Sequence, residues 1–510
     1  MVAYLSDKQC VKSVLLFIIL FSASFFYGGA QNTTTKGPEI GMDDGARVTV
    51  LGEDDQNIYF CAVDKDNFGK DDELFVIVYD KKSRSVVVEH EFDEDYGFST
   101  AFMTDDKVVL VGRTFNKKSN RVEYFQYTFP VMNKKKGKIV PNVVYSVPAE
   151  SKKYNLYRVL RSSDGQKLAY LTYLRPSNRS AEEYALDVMV CGVDGRVVAH
   201  TQKRIKGEFP NYVKGYLAND GTVFLEEHYY TDRKAEPRGT MIMFSRDVSF
   251  RFVTVTTDQQ YKPMQMEEDI EGMYNMYAEI LADQRLMAFG AAKNGVGMLV
   301  LDKTGEVAKY GVYEEKIPDL PEGVTYDFDY YNENSFAFTP YQILSLQDGR
   351  VLVLAHQHLY SLVSNGNSMR AYNDHKNLYL YLFDKELESL TFVTRPFGTQ
   401  SAGDKHEDLP VAFEWDGETR LLFNGQVSNY TGGSKSKWKV LFPTKLSERC
   451  LVLGTLDDDL RFTPKIVRDP GPDVPFTTGE YFEQLLKVTD DAVYIINHRN
   501  SDNFIEEIRK

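Results

Sequence analysis

The residues best equipped for chemistry are a phased set of histidines and a run of acids. His228, His356 and His498 each stand eight residues after an aspartate (Asp220, Asp348 and Asp490), in a chain with only eight histidines. Imidazoles titrate near neutral pH and ligate metals, so such a set could form a titratable or metal-binding ring. His356-Gln357-His358 adds a same-side pair one strand period apart, and His356 and His358 are the candidate metal ligands. The acids lie in Tyr326-Asp327-Phe328-Asp329-Tyr330-Tyr331-Asn332-Glu333, where aromatic and acidic groups alternate. Asp327, Asp329 and Glu333 are the candidate carboxylates for glycoside chemistry, which needs only two suitably spaced acids. Tyr326, Phe328, Tyr330 and Tyr331, with Tyr274, Tyr277 and His228, are the candidate ligand-binding groups, because aromatic faces beside carboxylates stack sugars or hold cationic peptides.

Other chemistry has no phrase to carry it. The chain lacks a G-x-S-x-G elbow, H-E-x-x-H, C-x-x-C, a P-loop and a G-x-G-x-x-G turn after a strand. His90-Glu91 and His406-Glu407 lack the second histidine that zinc on a helix needs. No cofactor is expected.

The elements that position these residues are copies of one hairpin. Asn219-Asp220-Gly221-Thr222-Val223-Phe224-Leu225 is a tight acidic turn followed by a strand-like run, and it returns around Asp164-Gly165 and Asp348-Gly349. Looser copies place Asp54, Asp105, Asp283, Asp416 and Asp490 at the turn, with steps of 51 to 74 residues between successive aspartates. Asp-Gly between apolar runs signals a hairpin with positive φ at both central residues. A hairpin recurring at this period signals a repeat architecture. A second hairpin follows each first one, as around Val193-Asp194-Gly195 and Lys303-Thr304-Gly305, so each repeat holds four antiparallel strands, one propeller blade. The spacing predicts an all-β propeller of eight such blades over residues 46–510, with seven the alternative, and few helices. The last repeat stops after three strands, and the stretch from about Pro38 to Asp44, within a 31–45 segment otherwise read as loose, is expected to supply the missing outer strand beside Phe504 to Ile508. Three phased histidines on alternate blades then lie about a quarter turn apart, too far to share one zinc at about 2 Å.

Blade three resembles the TolB-like (WD40-like) propeller repeats of exported bacterial proteins, through Ser163-Asp164-Gly165-Gln166-Lys167-Leu168-Ala169-Tyr170 and Val193-Asp194-Gly195. Blade six is similar through Gln347 to Leu354. The likeness implies the propeller architecture; that group spans binding modules and propellers attached to peptidases, so it implies no single activity.

Four links are long, 258–275, 315–340, 357–376 and 425–449, and all rise over blades four to seven on one face. Binding residues gather on loops held by a rigid scaffold. Met264, Met266, Met273 and Met276 in the first link read as adaptable protein-contact surface. The N-terminus, with Lys8 and Lys12 before an apolar run to Phe26 and then Gly28-Gly29-Ala30, reads as a signal peptide over residues 1–30, with no membrane insertion after cleavage. Cys61, Cys191 and Cys450 are expected as buried free thiols. A formal charge of −14 argues against nucleic acid and against electrostatic docking to anionic lipid. Together these features predict an exported, non-catalytic propeller binding a protein, peptide or glycan under the loops of blades four to seven. The alternative is a carbohydrate-active hydrolase or lyase with paired carboxylates on the same face.

Overall fold

The computed structural model describes residues 34–40, 47–65, 72–94, 97–104, 107–130, 142–149, 156–175, 183–238, 241–264, 273–292, 295–313, 325–326, 337–364, 369–402, 409–431, 437–441, 446–471, 474, 486–499 and 502–510. Residues 1–30, expected as a signal peptide, and Asp105, Met266, Asp327, Phe328, Asp329, Tyr330, Tyr331 and Glu333 lie outside them. At Tyr274, Tyr326 and His498 the description is confined to the backbone.

The described chain is strand throughout, broken only by the 3₁₀ turns Val427–Asn429 and Leu446–Glu448. Blade one has the form that the others repeat. Its strands Arg47–Glu53, Asn57–Lys65, Asp72–Asp80 and Ser85–Glu94 pair antiparallel in chain order. Middle strands are apolar on both faces because each blade is sandwiched between two others; Leu286–Ala292 is buried at every position.

Eight hydrophobic cores show how the blades are arranged. Val76 of blade one packs with Ala101 and Leu110 of blade two in the same manner as Tyr124 packs with Tyr170, Leu186 with Val253, and Phe252 with Leu286. Further round, Phe289 meets Tyr381, Leu380 meets Phe423, and Leu453 meets Ile495. The last core joins Tyr494 and Ile505 back to Phe60 and Ile77 of blade one, so the ring closes. A closed ring of four-stranded antiparallel units is a β-propeller. Counted as hydrogen-bonded sheets there are seven large ones, six four-stranded and one nine-stranded; the last contains two four-stranded units, blades four and six. Both of the counts expected from the sequence therefore describe the molecule, one by units and one by sheets.

Closure uses both ends of the described chain. Thr34–Ile40 pairs antiparallel with Asp502–Arg509, Thr34 opposite Ile508 and Ile40 opposite Asn503. This is the missing outer strand, and it replaces the loose segment expected there.

The repeated turn differs from expectation in a way that explains its aspartate. Only glycine takes positive φ at Gly165, Gly221 and Gly349; Asp164, Asp220 and Asp348 do not. The turn is closed by Gly165 N–H donating to Ser162 O, and the Asp164 carboxylate accepts from Gln166 N–H instead of adopting the left-handed region. Asp220 and Asp348 accept from Thr222 and Arg350 N–H in the same way. Asp416-Gly417 in blade seven is the copy in which both residues have positive φ, matching a two-residue turn between Trp415 and Glu418. Cys61, Cys191 and Cys450 are buried and unbridged. Among the described residues no helix is long and apolar enough to cross a membrane.

Candidate functional site

On the face opposite the aspartate turns, two blades grow arms. Blade four extends its middle strands into the hairpin Val223–Arg238 and Met241–Val255, and blade six does the same with Val351–Ser364 and Met369–Phe383. Between them, the equivalent strands of blade five, Leu286–Ala292 and Gly295–Leu301, are each seven residues long. The arms cross above this short blade and pair, Met241 opposite Val363 and Ile242 opposite Leu362. The 357–376 segment expected as a loop is thus mostly strand. Alternating polar residues hid it, because an arm that leaves the disc no longer needs an apolar face.

The base of the blade-four arm holds two consecutive buried glutamates. Side chains alternate along a strand, so Glu227, with Leu225, faces blade three, whereas Glu226, with Phe224, faces blade five. Glu227 accepts from Tyr173 of blade three and Tyr229, both at 2.8 Å, and from Arg251 Nε at 2.9 Å. Arg251 also donates to Tyr184 of blade three at 3.0 Å. This pair is locked into an aromatic seam.

Glu226 has titratable partners. His228 Nε2 donates to it at 2.6 Å and Tyr216 Oη at 3.0 Å. Burial alone would raise the Glu226 carboxyl, but the His228 bond, the charges of Lys214 and His228 and the Tyr216 bond outweigh it and hold the group below its ordinary 4.5. Burial and the Glu226 charge push the Tyr216 phenol well up. Around this carboxylate lies a mouth of aromatic and cationic groups. Tyr212, 36% exposed, meets the His228 ring edge-on at 5.5 Å and carries the Arg158 guanidinium over its face at 5.0 Å. Lys214 Nζ stands 5.8 Å from the Tyr277 ring centre, and Tyr277 bonds Glu279. The carboxylate fixes the orientation of the imidazole, which places a titratable donor beside an exposed aromatic ring.

The blade-six histidines adopt a different arrangement. His356, His358 and His375 stack face to face, ring centres 4.7 to 5.5 Å apart. His356 and His375 share a hydrogen between Nδ1 atoms 3.0 Å apart, and His358 Nε2 bonds Asn373 Oδ1 at 2.8 Å. Among the described residues no three His, Cys, Asp or Glu groups are placed to hold a metal ion. The neighbouring loops are tied by backbone pairs: Thr325–Tyr326 runs parallel to Lys437–Trp438, and Leu441 exchanges bonds with Gly398 and Gln400. Asn429, an N-glycosylation acceptor by pattern, clamps Lys439 through both N–H and C=O.

Of the residues singled out in the sequence, His228 and Tyr277 therefore come together at one mouth, on the seam of blades four and five. His356 and His358 belong to blade six. Met264 and Met273 are not contact surface: they are buried in the core between blades four and five, because that link packs down onto the disc. Sequence reasoning missed Glu226, Glu227, Tyr212, Lys214 and His375. The available signal was Leu225-Glu226-Glu227, two charges inside a strand apolar on both faces.

No family model matches this chain, and no curated protein does. Among solved structures it is similar to BamB from Moraxella catarrhalis, at 11% identity over 94% of this chain and 100% of that one, with a TM-score of 0.37. The β-propeller domain of the Trilobed protease from Pyrococcus furiosus is 11% identical over 84% of this chain and 98% of that one, TM-score 0.34. The WD40 domain of SCAP from fission yeast is 9% identical over 94% and 98%, TM-score 0.30. The propeller assignment rests on the strand pairing and the closed ring of cores.

Proposed function

We propose that this protein is an exported, non-catalytic propeller that holds a protein, peptide or glycan ligand on the face carrying the arms of blades four and six. The observation that carries this reading is the pairing of the two arms over short blade five, which frames a mouth containing Tyr212, His228, Lys214 and Tyr277. Backbone pairing of 325–326 with 437–438 extends the framed face toward blade seven.

The test replaces residues 231–247 by Asn-Gly, which keeps the Tyr230–Val248 register and removes the arm. Peptide and glycan arrays probed with the parent and the shortened protein should show capture by the parent alone, with matched urea unfolding midpoints. Equal capture by both proteins contradicts the placement.

A further inference from the structure

The charge is unevenly distributed round the ring. Blades two and three, residues 97–206, contain 20 Lys and Arg against 9 Asp and Glu, a net +11 within a chain of −14, which leaves −25 on everything else. The whole-chain figure hides this segregation. An approaching anion is repelled by most of the molecule and drawn to this sector.

A cavity opens in the same sector. About 530 Å³ in volume, it lies between the blades, on the face that also carries the arms, and its lining includes Ser119, Asn120, Leu174, Arg175, Tyr184 and Arg204. The volume suits a small-molecule or single-residue subsite. The turn after Lys107–Asn116 supplies one wall through Ser119 and Asn120, and its Lys117 and Lys118, outside the lining, are exposed. The opposite wall comes from Glu183–Gly192 and the outer strand Val197–Lys206. On that outer strand His200 reaches Tyr145 of blade two, so its same-side neighbours Arg204 and Lys206 also face blade two. Arg175 lies over the Phe209 ring at 5.2 Å. Glu183, the acid in the lining, stands opposite Lys206 across the strands.

We infer that this cavity binds an acidic glycan, one sugar carrying a sulfate or carboxylate that is gripped by Arg175 and Arg204. A hydroxyl, an amide and apolar walls beside two guanidiniums match a sugar's hydroxyls, its C–H face and its anionic substituent. Single-stranded nucleic acid fits less well, because Tyr184 is only 2% exposed and offers no face for a base to stack on. The site is separate from the arms, so either assignment can fail without the other.

The test is titration of the full chain with a heparin-derived hexasaccharide at 50 and 150 mM salt, with maltohexaose as the neutral control. Maltohexaose should not bind, and hexasaccharide affinity should fall with salt. Arg175→Ala/Arg204→Ala should weaken the hexasaccharide about tenfold or more, with an unchanged unfolding midpoint, while Lys465→Glu on exposed blade-seven surface should not. No hexasaccharide binding, or equal binding by the double variant, overturns the assignment. A poly-glutamate peptide or an oligonucleotide binding more tightly than the hexasaccharide also overturns it.

Discussion

Blades four and eight each bury two consecutive glutamates in a middle strand, and the difference between them separates structure from chemistry. In blade eight, Glu506 faces backward to Arg468 of blade seven, and Glu507 pairs with Arg84 of blade one and with Arg509. These ties join the blade that closes the ring to both of its neighbours. In blade four, Glu227 follows the same logic through Arg251 and the tyrosines of blade three. Glu226 departs from it: its partners are His228 and Tyr216, beside Lys214. A guanidinium stays charged at all accessible pH, so it makes a permanent tie. The Glu226 pair is the one of the four made with an imidazole instead of a guanidinium.

This contrast can be broken at several points. Removing a buried, paired carboxylate strands its partners, so Glu227→Ala should lower stability by about 4 kcal/mol, read as the urea midpoint. Arg468→Ala takes from Glu506 its ion-pair partner at the seam and should destabilise by about 3 kcal/mol. Glu226→Gln keeps the shape and should cost about 2 kcal/mol at neutral pH, with a pH signature. Because the folded carboxyl lies below 4.5, its contribution is complete above that value and disappears as pH falls through the folded pKa. The gap between parent and Glu226→Gln midpoints should therefore narrow as pH falls through the folded pKa, below 4.5. A gap that widens as pH falls contradicts the ionised assignment. Arg84 is more than a third exposed, so Arg84→Ala should cost less than about 1 kcal/mol.

The repeat was legible because its turn must be made eight times from the same few residues. Asp164, Asp220, Asp283 and Asp348 each take a backbone N–H two residues on, a local bond that needs no tertiary context. The turn can even lose glycine: Gln284 takes φ 71° after Asp283. The arms were harder to read. Residues 229–240 and 357–376 lack the apolar alternation of disc strands in the sequence. The phased histidines illustrate both the reach and the limit of counting along the chain. Counting placed His228 and His356 at strand ends, whereas both lie inside strands that run on to Arg238 and Ser364, and counting did not show that one meets a carboxylate and the other an imidazole. Glu226 is two residues from His228 and was overlooked, whereas His375 comes from the partner strand of the arm.

The account's central claim is that ligand is held at the mouth framed by the paired arms. Amide hydrogen exchange with and without the array-selected ligand tests it most directly. Slowed exchange in 228–250 and 358–375, with 281–286 and 346–350 on the opposite face unchanged, is the predicted result. Protection confined to the opposite-face turns, or to blades one to three, would contradict it.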